Sequence, residues 1–124
     1  MIDLCKRLQN VHEAGVYRLN CPLDDLRASA KNSGFVVFEA NMADASGKGE
    51  VLAEMARAIA APDWFGHNWD ALADALGDLS WYPASGYVLL LHGEPPGETA
   101  LDDILDATTS FWKLQGKAFW VFIA

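Results

Sequence analysis

Three aspartates recur at four-residue spacing in the stretch WFGHNWDALADALGDL, residues 64–79: Asp70, Asp74 and Asp78. On a helix this spacing brings the three carboxylates onto one ridge. Like charges four residues apart cost about 0.2–0.5 kcal/mol per pair, and a carboxylate near the helix end also opposes the helix dipole. A ridge that costs stability favours a role in binding a cationic partner, although a solvated acidic face is the commoner origin of such a pattern.

The residues around these aspartates predict the helix that would carry them. Asn68 is a favoured N-cap residue, and no Pro or β-branched residue follows until the run ends near Ser80. Apolar residues recur at three- and four-residue intervals and form one stripe that can pack on a core. They are Trp69, Leu72, Ala73, Leu76 and Leu79. We therefore predict a helix over about residues 69–79 with one apolar and one acidic side.

Metal and nucleophilic chemistry are weaker alternatives. His67, Asp70 and Asp74 have helical spacings that could bring three metal ligands together. A nucleophile and a base could also be drawn from either cysteine and one of the histidines: Cys5 or Cys21 with His12, His67 or His92. No local motif supports either arrangement, and the cysteines lack metal-ligand or redox spacing. We expect reduced, structural cysteines, no metal, no cofactor and no enzymatic activity.

Composition limits the kind of partner. The chain has 124 residues, 52% of them hydrophobic and 21% charged, which predicts a single globular domain over residues 1–124. The net charge of −8 opposes direct nucleic-acid binding, which needs Lys and Arg, and suits a basic protein partner. No apolar run is long enough to span a membrane, and the opening MIDLCKRLQN has no signal-peptide core. We expect a cytoplasmic protein without a membrane partner; the oligomeric state is not predicted.

Three continuous apolar runs predict the core strands: residues 35–39, 87–91 and 118–123. Helical patterns over residues 50–61, 69–79 and 99–115 separate them, with Thr99 and Asp102 resembling a capping box. This alternation predicts βαβ crossovers and a three-stranded parallel sheet. Before it, we predict a short helix over residues 2–14, a brief extended run at 16–19, and a helix with Pro22 at its first position.

The segment from Trp64 to Asp74, together with Tyr82-Pro83, resembles the barstar family of intracellular ribonuclease inhibitors. The segment reads aromatic-aromatic-Gly-x-Asn-aromatic-Asp-Ala-Leu-x-Asp, and the resemblance covers residues 35–124. It implies a two-layer α/β fold with a three-stranded parallel sheet flanked by helices. Residues 1–34 would then be an N-terminal helical extension.

The resemblance also implies a function and a site. The acidic helix and its preceding loop would enter the active site of a basic ribonuclease as a mimic of substrate phosphates, with Asp74 as the main mimic and Asp70 as a second contact. Trp64 would cover the mouth of that site, while Gly66 would allow a tight approach and Asn68 would cap the helix. The full expected partner surface is Trp64, Gly66, His67, Asn68, Asp70, Ala73, Asp74, Gly77 and Asp78.

Three positions depart from the family pattern. Ala73 stands where the best-known members have Trp, Gly77 where they have Thr, and Phe111 where they have Glu; Asp78 could supply a replacement contact. Two targets therefore stay open: a guanyl-specific ribonuclease, or another basic toxin nuclease against which the protein confers immunity. The alternative function is a non-catalytic regulatory protein that binds a non-nuclease partner through the same acidic face.

Overall fold

A four-stranded parallel β-sheet forms the centre of the protein in a computed structural model that describes residues 3–63, 65–95 and 99–124. The strands are β1 (Val16–Arg18), β2 (Val36–Asn41), β3 (Tyr87–His92) and β4 (Phe119–Ile123), in the spatial order β1-β4-β3-β2. The α/β class, the parallel sheet and the three predicted core strands are confirmed. The predicted number of three strands is wrong, because the short run at 16–18 pairs with β4 along Val16↔Val121 to Arg18↔Ile123.

Among the described residues, four α-helices connect these strands: α1 (Leu23–Asn32), α2 (Lys48–Ala58), α3 (Trp69–Leu76) and α4 (Thr99–Leu114). Pro22 is the N-cap of α1 and not its first helical residue. The predicted capping box at Thr99 falls at the start of α4. That start adjoins residues 96–98, which lie outside the described ranges. No helix within the described ranges is long and apolar enough to cross a membrane.

Both faces of the sheet are covered, so the fold has three layers and the expected two-layer arrangement is wrong. On one face α2, α3 and α4 pack on Leu89 and its neighbours through buried residues such as Leu52, Leu72 and Leu105. On the other face, Leu26 of α1 and Leu8 pack with Trp120. Side chains alternate between the two faces of a strand, which is why β3 and β4 are apolar at almost every position.

Residues 3–15 form no α-helix, contrary to the prediction of a short helix over residues 2–14. They contain two short 3-10 turns, Leu4–Lys6 and Val11–Glu13, whose backbone is held by local side chains: Asp3 accepts from the Cys5 amide at 3.0 Å. Such local bonds compete with helix formation. The Trp120 indole also donates to the Leu8 carbonyl oxygen at 2.8 Å, so this segment bonds to the sheet layer.

A disulfide joins Cys5 to Cys21, which corrects the expectation of two reduced thiols. Cys5 is buried against the second face of the sheet, and Cys21 lies just before α1. The bond closes a loop that contains β1, and it therefore fastens the N-terminal segment to the layer that covers this face.

Candidate functional site

The start of α3 is fixed by its predicted cap. The Asn68 side chain accepts a hydrogen bond from the Ala71 amide at 2.7 Å and donates one to the Gly66 carbonyl oxygen at 3.2 Å. A side-chain acceptor at this position satisfies an amide that has no partner within the helix. The N-cap role of Asn68 is confirmed, and the same side chain also holds the loop before the helix.

That loop makes a tight turn into α3. A Cβ atom on Gly66 would lie 3.2 Å from Nδ2 of Asn68, which explains why glycine suits the position. His67 has a left-handed backbone with φ of 47°, and its ring packs edge-on against buried Phe65 with 5.0 Å between ring centroids. Trp64, the expected cover of the partner's active site, lies outside the described residues.

The helix separates an apolar and an acidic side as the sequence predicts. Leu72, Ala75 and Leu76 are buried, whereas Asp70 and Asp74 are exposed. One residue of the predicted stripe differs from the prediction. Ala73 is exposed, because its spacing from the buried residues places it at the edge of the apolar stripe.

Asp78 does not lie on the helical ridge. α3 ends at Leu76, earlier than the predicted residue 79, and Gly77 is its C-cap. Leu79 then adopts a left-handed backbone with φ of 52°. The Asp78 carboxylate accepts a hydrogen bond from the Ser80 hydroxyl at 3.2 Å, so it is a turn residue beside the helix end.

The α3 aspartates are exposed and lack a cationic neighbour. Over residues 3–63, 65–95 and 99–124, ion pairs bring Arg, or His92, to glutamates and to Asp24, and none reaches Asp70, Asp74 or Asp78. The acidic face of α3, by which we mean Asp70 and Asp74 together with Asp78 just beyond the helix end, therefore presents negative charge that the described part of the chain does not compensate.

A cleft of about 330 Å³ opens beside Asp74, between α3 and α4. From α3 and its cap it is lined by Ala73, Asp74 and Gly77; from α4 it is lined by Ile104, Ala107, Thr108 and Phe111. We call it the α3–α4 cleft. Phe111 of this lining is 42% exposed. Ala73 and Gly77 are distant from Phe111 along the chain, and the structure brings all three to one cleft.

The described residues do not form the metal site or the nucleophile–base pair that the sequence left as weaker alternatives. His67 packs on Phe65, and among the described residues the only three potential metal ligands whose atoms lie within 4.8 Å of one another are Asp3, Cys5 and Cys21. These two cysteines are bonded to each other. Neither the proposed metal set on α3 nor a thiol nucleophile is therefore assembled.

A second charged group was not predicted. Arg27 donates to both carboxylate oxygens of Glu39, at 3.2 and 2.7 Å, and His92 contacts the same carboxylate at 2.8 Å. The Arg27 guanidinium, bonded directly to the carboxylate, holds the pKa of Glu39 below its usual value. Beside it, hydrogen bonding to Arg57 lowers the pKa of Glu54. We call these five residues the Glu39 network.

A sequence model of one protein family, described as Barstar (barnase inhibitor), matches residues 35–124. The match contains β2 to β4, α2 to α4, the loop before α3 and the α3–α4 cleft. A comparison with curated proteins gives no matching relative.

Proposed function

Because the chain belongs to the barstar family, a family of barnase inhibitors, we propose that it inhibits a basic ribonuclease by inserting the acidic face of α3 into the active site. The complex has one copy of each protein and needs no cofactor. Asp74 takes the position of a substrate phosphate and receives charge-assisted hydrogen bonds from cationic side chains of the enzyme. Asp70 contacts a second cationic group.

One observation carries this proposal: Asp70 and Asp74 are exposed on a capped helix, on the side opposite its buried residues, and no cation among the described residues pairs with them. Uncompensated surface carboxylates of one sign raise the local negative potential and accelerate association with a positively charged protein. The cap at Asn68 and the buried side of α3 hold these carboxylates on a rigid element, which lowers the entropy lost on binding.

The proposed partner surface extends beyond the two aspartates. The loop carrying Gly66 and His67 leads into the helix, and Trp64 would cover the enzyme's active-site mouth. At the far end, Ala73 and Gly77 supply close contact, while Asp78 supplies a peripheral charge. The family pattern supports these roles, and for the described residues so does their position around α3.

The experiment is inhibition of barnase by the purified protein, with the Asp74→Ala variant in parallel and at low and high ionic strength. Leaving a buried cation without its partner costs about 3–5 kcal/mol, so we expect the variant to bind about 100-fold more weakly or worse. The matched control is Asp25→Ala, which removes the same charge from an exposed position on α1, on the opposite side of the sheet.

The outcomes separate the site from the target. Tight, salt-sensitive inhibition that Asp74→Ala loses and Asp25→Ala keeps would support both. Equal inhibition by wild type and Asp74→Ala would contradict the role of Asp74. If barnase is not inhibited, the assay is repeated with other basic ribonucleases and toxin nucleases; failure with all of them would favour a non-nuclease partner for the same acidic face.

A further inference from the structure

A carboxylate lies beside the disulfide of the N-terminal segment. One carboxylate oxygen of Asp3 and the sulfur atoms of Cys5 and Cys21 all lie within 4.8 Å of one another. We propose that, once the disulfide is reduced, these three side chains bind a thiophilic divalent metal ion, with zinc as the representative. The site lies before residue 35, outside the family match, and it does not depend on the proposed function.

The three donor groups suit zinc in type and in spacing. Zinc binds thiolate sulfur at about 2.3 Å and carboxylate oxygen at about 2.0–2.2 Å, so tetrahedral geometry places two ligand atoms about 3.5–4 Å apart. Because the three atoms already lie within 4.8 Å, the reduced sulfurs reach this spacing by rotation about their side-chain bonds. Thiolates select such ions over magnesium and calcium, which prefer oxygen ligands.

The fold holds two of the donors in place without the disulfide. Asp3 is the N-cap of the turn Leu4–Lys6, and its Oδ1 accepts a hydrogen bond from the Cys5 amide at 3.0 Å. Cys5 is 1% exposed and belongs to the same apolar cluster as Leu8 and Trp120. The hydrogen bond from the Trp120 indole to the Leu8 carbonyl oxygen, at 2.8 Å, also fastens this segment to the sheet. Donors that are already held lose little freedom when they bind an ion.

An open cleft gives an ion access to these donors. It has a volume of about 810 Å³ and lies between the N-terminal segment and α1, with Asp3 and Cys5 in its lining. Cys21 is only half-buried, so a reductant can reach its sulfur. The three donors leave the fourth tetrahedral position to a water from the cleft, as in zinc sites that keep an open position.

Reduction and metal binding are two separate steps, and only the first transfers electrons. A dithiol such as dithiothreitol supplies two electrons and two protons. One of its thiolates attacks a disulfide sulfur, and its second thiolate then displaces the protein from the mixed disulfide, which leaves two cysteine thiols and a cyclic oxidised reductant. Zinc binding releases the two thiol protons to solvent. The ion then joins Cys5 to Cys21, the same two points that the disulfide joins.

A cobalt titration under anaerobic conditions tests the site. Protein reduced with dithiothreitol, and then separated from it by gel filtration, is titrated with Co²⁺, a spectroscopic substitute for zinc that absorbs by charge transfer when thiolates bind it. We expect the reduced protein to bind one equivalent with this absorption, and zinc to displace it. The disulfide form should show no such absorption. Absence of saturable thiolate absorption in the reduced protein would overturn the proposal.

Asp3→Asn distinguishes a site of three ligands from a mere pair of thiols. The asparagine oxygen can still accept from the Cys5 amide and keep the turn, but a neutral amide is a poorer zinc ligand than a carboxylate. Even partners outside the ligand set change metal affinity 10–100-fold, so we expect Asp3→Asn to weaken cobalt binding by about tenfold or more. Equal affinity in Asp3→Asn and the wild type would overturn the three-ligand site.

Asp25→Asn is the matched control. Asp25 lines the same cleft and is exposed, but it is not one of the three donors. Its substitution should leave cobalt affinity unchanged. A loss as large as in Asp3→Asn would mean that the aspartates act only through the general negative charge of the cleft, which would overturn Asp3 as a ligand.

Thermal unfolding shows whether the site belongs to the folded chain. An ion that binds only the folded form raises the unfolding temperature as its concentration increases. Zinc should therefore raise the unfolding temperature of the reduced wild type and leave that of the disulfide form unchanged. The double variant Cys5→Ser with Cys21→Ser should lose both this effect and the cobalt absorption. If zinc does not raise the unfolding temperature of the reduced wild type, the folded chain does not form the site and the proposal fails.

Discussion

The acidic face of α3 and the Glu39 network place similar charges in opposite circumstances. In the network, Glu39 receives Arg27 and His92, and Arg57 pairs with Glu54. On α3, Asp70 and Asp74 meet no cation within the described part of the chain. The number of carboxylates is therefore a poor guide to a binding site in an acidic protein. Whether a carboxylate is already paired with a cation of the same chain is more informative.

The largest effect should come from the buried side of α3, since the comparison requires that the helix is held by its apolar residues. Leu72 is fully buried in the core. Leu72→Ala should lower the free energy of unfolding by about 2–5 kcal/mol, because it removes apolar contacts and leaves a cavity. Urea unfolding measures the loss, and affinity per folded molecule should be retained.

Leu114→Ala is the matched control, because Leu114 is 86% exposed near the end of α4. A surface substitution of this kind usually changes stability by less than about 0.5 kcal/mol. Equal losses in the two variants would show that burial does not hold α3 in place.

The next effect concerns the Glu39 network and pH. The folded pKa of Glu39 is lowered by hydrogen bonding to Arg27, so its stabilisation is present above the unfolded value of about 4.3. It is lost as the pH falls through the lower folded value. Stability measured between neutral pH and pH 3 should therefore fall less steeply in Glu39→Gln than in wild type.

Arg27→Gln removes the other partner of the same ion pair, so its stability should also fall less steeply than that of the wild type as the pH is lowered. Neither variant should change affinity for the partner, because the network lies on β2 and its neighbours and not on α3. If stability falls with pH as steeply in both variants as in the wild type, the pairing of Arg27 with Glu39 adds nothing to stability.

A smaller effect of opposite sign is expected on α3. Asp70 and Asp74 are four residues apart, and removing one of two such like charges should raise the free energy of unfolding by about 0.2–0.5 kcal/mol. Asp74→Ala should thus be slightly more stable than wild type while binding its partner more weakly. Chemical unfolding at low ionic strength checks this, and a clear loss of stability would indicate a hidden structural role for Asp74.

The smallest effect should follow Asp78→Ala. Its carboxylate accepts from the nearby Ser80 hydroxyl and lies beyond the helix end. We expect stability to change by less than about 0.5 kcal/mol and the association rate to fall slightly at low salt. A dissociation rate raised as much as in Asp74→Ala would instead make Asp78 a direct contact.

Features that depend on local sequence pattern could be predicted from the sequence. The three long apolar runs, the cap at Asn68 and the separation of Leu72 from Asp74 follow from residue type and spacing. The fourth strand did not, because a three-residue run such as Val16–Arg18 has too little pattern and becomes a strand only by pairing with β4.

Other features depend on residues that are distant along the chain. The cleft needs Ala73 and Phe111 to meet across two helices, and the network needs Arg27, Glu39 and His92 to meet from three elements. The spacing of residues in one sequence does not show which distant residues come into contact in the fold. The early end of α3 has a local cause, since Gly77 is its C-cap and glycine weakens a helix interior.

The bond between Cys5 and Cys21 makes the stability of this chain depend on its surroundings. The two residues are 16 apart in sequence, and closing a loop of about that length stabilises a fold by about 3 kcal/mol in the chain-entropy description. Glutathione and thioredoxin keep most cytosolic thiols reduced. The identical chain would therefore hold β1 less firmly in the cytosol than in an oxidising compartment, where it becomes a sturdier molecule without a single substitution.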